Sequence, residues 1–302
     1  QSPTQRRGDH TVDDALTWLG TTGEDPWCLW VHLFDVHDFS LVPPAEWIAR
    51  FGIEYDKSVP VNSVEWRERM YDPELTFADE QVGRLLAGIR DQGQWDSTVI
   101  VVTADHGQGL TDGLKNHGWL KHRLLYDWCL HVPMILRVPG EPGGGRIEPL
   151  VRTIDILPTL LEALDVRGPE MEGESMLALV RGGADDGRVA YADALNLHDQ
   201  HAPQKWKPEY SDNLYSVSDV RWKLIWHETH PENVELFDLA ADPHELRNLA
   251  AEHAEQVDRL KAFLDEHHAM EMQAPRAGAG APSIELLNKL GYIEGGDEGT
   301  EA

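Results

Sequence analysis

Asp105 and His106 stand directly after the apolar run Thr98–Thr103, in the stretch STVIVVTADHG. A carboxylate beside an imidazole can ligate a divalent cation. In open α/β sheets, ligands bind just past the carboxyl ends of the strands, where these two side chains are delivered. Gly107 then permits a sharp turn that keeps the backbone clear of the site. Asn116-His117-Gly118 and Lys121 follow in a polar loop. Lys121 offers a point charge suited to an oxyanion, and His117 can donate to a leaving oxygen or hold an anion. His37, in HLFDVHDFSLVPP, lies just past a second apolar run, Trp27–Phe34. Taken singly, each of these has a plain reading as a solvated or structural side chain. His32, inside the run, is read as structural.

The elements that must position these groups alternate. TVDDALTWLG, from Thr11 to Gly20, reads as a helix with Thr11 as its cap and Gly20 as its stop. Trp27–Phe34 reads as a strand covered on both faces. Phe77–Ile89 carries apolar residues at helical spacing, and Thr98–Thr103 and Met134–Val138 read as further buried strands. Ile154–Leu164 reads as a helix with Pro158 in its first turn. Strands alternating with helices predict an α/β layer fold. The pattern then changes to short runs without helices between them: Val189–Ala194, Leu214–Val217, Trp222–Trp226 and Val234–Leu239. These predict a small antiparallel sheet. Asp242-Pro243 is expected to open a long helix, followed by the linker QAPRAGAGAP and an acidic tail. The expected organisation is an α/β catalytic part over 1–186, a small antiparallel subdomain with a helix over 187–270, and a linker and tail over 271–302.

The chain has 302 residues, enough for one large α/β domain or a domain with a smaller companion. With 26 basic and 53 acidic residues, its net charge of −27 disfavours nucleic acid and anionic membranes as partners. No apolar run reaches the roughly 18–20 residues of a membrane span. The two cysteines, Cys28 and Cys129, sit among apolar residues and read as buried thiols. They make no disulfide framework, and the compartment stays open.

At this point the sequence resembles the sulfatase family of the alkaline phosphatase superfamily. WVHLFDVHDFSLVPP is similar to the family's H…D-x-H-x-P strand and loop, with Phe39 and Ser40 where a proline and an aromatic residue usually follow. VIVVTADHG, HGWLKHRLLYDWCLHVPMILRVPG, VRTIDILPTLLEAL and VELFDLAADPHELRNLA resemble further family blocks, in family order. The resemblance implies an alkaline-phosphatase-like fold: a central, mostly parallel sheet with helices on both faces, plus a smaller C-terminal antiparallel sheet with a packed helix. It implies Asp105 and His106 as metal ligands, most naturally for Ca2+, and Lys121 on the oxygens of the transferred group. His37 would contact the anionic group or leaving oxygen, and His117 is a further site residue. The substrate would be a small-molecule or glycan sulfate ester, with phosphate or phosphonate esters as the alternative. The family's nucleophile, a formylglycine in most members, lies in a Cys/Ser-x-Pro/Ala-x-Arg motif that neither Cys28 nor Cys129 fits. The resemblance places that motif and a first Asp pair in a region preceding Gln1. The chain is therefore expected to be a fragment without useful activity alone, or a non-catalytic relative.

Overall fold

A computed structural model describes residues 6–37, 41–54, 63–117, 124–185, 187–195 and 212–273. Lys121, most of the loop at 196–212, the linker and the acidic tail lie outside them. The chain forms two compact units, one up to Trp95 and one over Asp96–Ala274.

In the first unit, α1 (Gly8–Leu19), the short α2 (Ala45–Ala49) and the long α3 (Val64–Asp91) form the body. Val12, Ala15 and Leu19 of α1 are buried, as are Trp66, Met70 and Phe77 of α3. Trp47 of α2 meets Phe77 edge-on at 5.6 Å. Ser63 caps α3 by accepting from Trp66 N–H at 3.1 Å, so this helix begins well before Phe77 and runs through Pro73. α1 likewise starts ahead of Thr11. Its cap is supplied from a distance: Gly8 N–H donates to Asp35 Oδ1 at 2.9 Å. Asp35 is 1% exposed, and burial pushes its pKa up despite the Gly8 bond.

Trp27–Phe34 departs from expectation. The segment forms no strand, although Cys28, Trp30 and His32 point out while Leu29, Val31 and Leu33 are half-buried. Exposure thus keeps the period of two, but no neighbouring strand pairs with it among the described residues. Trp30 is 90% exposed, and Trp27 is tied by its indole N–H to Gln94 at 3.1 Å. Cys28 is accordingly exposed, whereas Cys129 is buried. His32 packs on Phe34 with ring centroids 4.8 Å apart.

The second unit opens with β1 (Ile100–Thr103), α4 (Leu110–His117), the single turn α5 (Asp127–Leu130) and β2 (Met134–Arg137). β1 and β2 pair antiparallel, Ile100 opposite Arg137 and Thr103 opposite Met134. The described residues therefore show an antiparallel pair where a mostly parallel central sheet was expected. α6 (Ile156–Ala163) and α7 (Leu177–Val180) follow, with Pro158 in the first turn of α6 as the sequence predicts. The IDILPT block acts as a clamp. Fully buried Asp155 accepts from Arg152 and from Glu174 N–H at 2.9 Å, and Thr159 accepts from Met176 N–H at 2.9 Å.

β3 (Ala190–Leu195), β4 (Asn213–Ser218), β5 (Trp222–His227) and β6 (Glu235–Asp238) form a four-stranded antiparallel sheet in chain order. α8 (Ala254–Gln273) covers one face. Alternation along the strands divides the side chains. Val217, Leu224 and Leu236 pack with Leu260 and Leu264 of α8, while Leu214, Ile225 and Phe237 pack with Leu124 and Leu125. Each such burial is worth roughly 1.5–3 kcal/mol.

α8 does not begin at Asp242-Pro243. Asp242 accepts from Leu246 and Arg247 N–H at 2.8 and 2.9 Å. Asn248 accepts from Leu236 and Ala250 N–H and donates to the Val234 carbonyl, and Glu245 takes a left-handed φ of 55°. Local side-chain bonds outcompete the helix here. Leu246, within this turn, is 62% exposed. Asn248→Ala removes three bonds, of which two fasten this turn to β6 and the residue before it and one closes the turn on Ala250. Its expected cost is about 1–3 kcal/mol, read as a lowered midpoint in urea with an unchanged slope.

Candidate functional site

The Asp105-His106-Gly107 turn leaves the end of β1 and is tied together locally. His106 N–H donates to Asp105 Oδ1 at 2.9 Å. His106 Nδ1 lies 2.9 Å from the Gly107 carbonyl, a contact that places the proton on Nδ1 and presents Nε2 as the basic nitrogen. Nε2 stands 3.8 Å from Asp105 Oδ2, a spacing two ligands of one cation can span. The Asp105 side chain is 57% exposed and that of His106 24%, so the pair opens outward. Among the described residues, no group of three or more His, Cys, Asp or Glu side chains converges on one point. The two residues thus fit part of a divalent-ion site.

Gly107 fastens this turn to the next segment. Its N–H donates to the Cys129 carbonyl in α5 at 2.7 Å. A Cβ at Gly107 would come within 2.2 Å of the Trp128 carbonyl oxygen, so the approach itself demands glycine. Burial pushes the Cys129 thiol up to about 11 and keeps it protonated.

His117 ends α4 and is held from the C-terminal side. Its ring stacks on Tyr126 at 3.6 Å with the planes 21° apart. Nε2 lies 3.3 Å from the His244 carbonyl, which makes it the donor nitrogen. Burial lowers its pKa, partly offset by that bond and by Glu235, so the ring is neutral at neutral pH. Tyr126 O–H donates to Glu235 at 2.8 Å. Lys121 lies outside the described residues, but its loop is flanked by two anchors, the His117–Tyr126 stack and buried Leu124 and Leu125.

His37 belongs to the first unit. It is exposed in a turn closed by its own N–H on the Phe34 carbonyl at 3.1 Å, with its ring edge-on to Phe34 at 5.3 Å.

Sequence reading missed a buried charge cluster beneath α5. Lys223 of β5 is 0% exposed, with Nζ 2.8 Å from both Asp127 Oδ1 and Glu245 Oε1. Glu245 Oε2 accepts Asp127 N–H at 2.7 Å. The available signal was the strand WKLIWH, where Lys223 and His227 share the face of Ile225 and pack inward.

The chain is similar to several known proteins. Residues 6–166 match the sulfatase family model and residues 115–271 that of the C-terminal part of N-sulphoglucosamine sulphohydrolase. An N-acetylglucosamine-6-O-sulfatase of Bacteroides thetaiotaomicron is 27% identical over 67% of this chain and 36% of its own length. The chain therefore spans little more than a third of that relative. A structure solved with its substrate D-glucosamine-2-N,6-O-disulfate is 28% identical with a TM-score of 0.57, covering 76% of this chain and 46% of the other. The phosphonate monoester hydrolase of Silicibacter pomeroyi is 26% identical with the same TM-score of 0.57, covering 74% and 44%. The helices and antiparallel sheets of this chain, a mixed α/β fold, are similar to those of solved structures of the alkaline phosphatase superfamily, and this chain belongs to the sulfatase family.

Proposed function

We propose that this chain carries part of the active site of a hydrolase of sulfate monoesters, with a sulfated amino sugar as the substrate class. The observation that carries the reading is the Asp105-His106 pair at the end of β1, fixed by Gly107 to α5 in a chain of the sulfatase family. Asp105 Oδ2 and His106 Nε2 would hold a divalent cation, which the family resemblance implies to be Ca2+. Such an ion supplies Lewis-acid polarisation of the transferring group. Lys121 neutralises charge on the group's outer oxygens. His117 is neutral and gives Nε2–H to the His244 carbonyl, so Nδ1 is its nitrogen for accepting or passing a proton. His37 is assigned to the anion or leaving oxygen by the family resemblance alone. The attacking group is expected from a Cys/Ser-x-Pro/Ala-x-Arg motif that neither cysteine here provides, so the chain alone is expected to be inactive.

A phosphonate or phosphate ester is the second reading, favoured by the similarity to a phosphonate monoester hydrolase. The test is turnover of 4-nitrophenyl sulfate and a phenyl phosphonate monoester with calcium. It compares the chain alone with the chain joined to an amino-terminal segment bearing Cys-x-Pro-x-Arg. The expected result is sulfate turnover by the joined protein only, reduced about 100–1,000-fold by Lys121→Ala. Preference for the phosphonate selects the second reading, and turnover indifferent to Lys121 removes both.

A further inference from the structure

The Asp105-His106 turn hangs on α5 through one short bond, Gly107 N–H to the Cys129 carbonyl. α5 is itself a single turn of four residues, too short to hold its own geometry. What holds it comes from the C-terminal part of the unit. Glu245 Oε2 accepts the backbone N–H of Asp127, the first residue of α5, at 2.7 Å. Lys223 Nζ, fully buried in β5, reaches the Asp127 carboxylate and Glu245 Oε1, each at 2.8 Å. Glu245 can do this because its backbone takes a φ of 55° within the turn that Asp242 and Asn248 tie. A positive φ at a non-glycine residue is costly and persists where the surroundings enforce it.

We propose that Glu245, with Lys223, is a positioning residue for the proposed metal-binding turn, acting through α5 and the Gly107–Cys129 bond. The proposal rests on the reading of Asp105 and His106 as ligands, and predicts a local effect that does not need that reading. Neither residue touches the ion or the ester. Their part is to set where β1's terminal turn points.

The test uses three forms of the full chain: unaltered, Glu245→Gly and Glu245→Gln. Glycine suits the left-handed backbone and removes the carboxylate, while glutamine keeps an oxygen for Asp127 N–H. Amide hydrogen exchange is followed at Gly107 and, as reference, in the β4–β5 ladder. In Glu245→Gly, Gly107 is expected to exchange about tenfold faster or more while the ladder amides keep their rates. Glu245→Gln should restore most of the protection. Unchanged exchange at Gly107, equal acceleration of the ladder, or no recovery in Glu245→Gln would each overturn the proposal. Calcium titration by calorimetry, run on the unaltered chain joined to the amino-terminal segment, separates the two readings. Should that joined protein show no calcium response, the ligand assignment fails, while Gly107 exchange in the chain itself still decides the positioning role.

Discussion

Lys223→Met is expected to destabilise the second unit by about 3–5 kcal/mol, the cost of removing one partner from a buried ion pair. Methionine keeps most of the side-chain volume, so the loss is electrostatic. Glu245 and part of Asp127 would stay buried with no cation between them. The sign of the pH dependence follows from Glu245. Burial already raises its pKa, while Lys223 and the Asp127 amide hold it down; without Lys223 it rises further. A carboxyl whose folded pKa lies above its unfolded value is stabilising when protonated, and that stability is lost as pH rises through the folded value. The deficit of Lys223→Met is therefore largest above that value and shrinks on acidification toward the ordinary carboxylate range. Urea unfolding across pH, followed by Trp fluorescence, reads this directly. Adding Glu245→Gln removes the stranded charge but keeps an acceptor for Asp127 N–H, and should recover part of the loss. A double variant no more stable than Lys223→Met would show that the uncompensated charge is not the cause.

Gly107→Ala should do the greatest damage to the proposed chemistry. The added carbon meets backbone on every near side: the Trp128 carbonyl oxygen at 2.2 Å, its carbon at 3.1 Å and Cys129 Cα at 3.4 Å. None of these is the end of a flexible side chain, so the turn and α5 must separate and the Gly107–Cys129 bond is lost. Overpacking of this kind costs about 1–3 kcal/mol in stability. Displacing a ligand pair by about 1 Å costs about 100-fold in rate. In the joined protein, sulfate turnover is expected to fall by that factor while the thermal midpoint drops only a few degrees. Turnover within a factor of two of the parent would show that the placement of Asp105 and His106 does not matter to the reaction.

The sequence exposes β1 through β6 well because each is a compact apolar run or a clear alternation bounded by turn residues. The end of β1 also locates Asp105 and His106. At two departures from expectation, side-chain hydrogen bonds that hydropathy does not show intervene, one distant and the others mostly local. Asp35 caps α1 and displaces Thr11 from that role. Asp242 and Asn248 hold residues 239–253 in turns that an apolar pattern alone would make helical. Trp27–Phe34 keeps a strand's periodicity but has no ladder among the described residues, which hydropathy cannot reveal. The cluster beneath α5 was hardest to see, since Lys and Glu in a chain of net charge −27 are read as solvated by default. Their partners are brought together only by the sheet.

The ties to α5 and its neighbours span 127 residues from His117 to His244, 118 from Asp127 to Glu245 and 109 from Tyr126 to Glu235. Contacts this distant along the chain form late, since loop closure must precede any reward from them. During synthesis, the turn after β1 would leave the ribosome long before the residues that hold it in place. The proposed site's corner of the unit is thus completed only when its last strands dock, which couples its formation to completion of the fold.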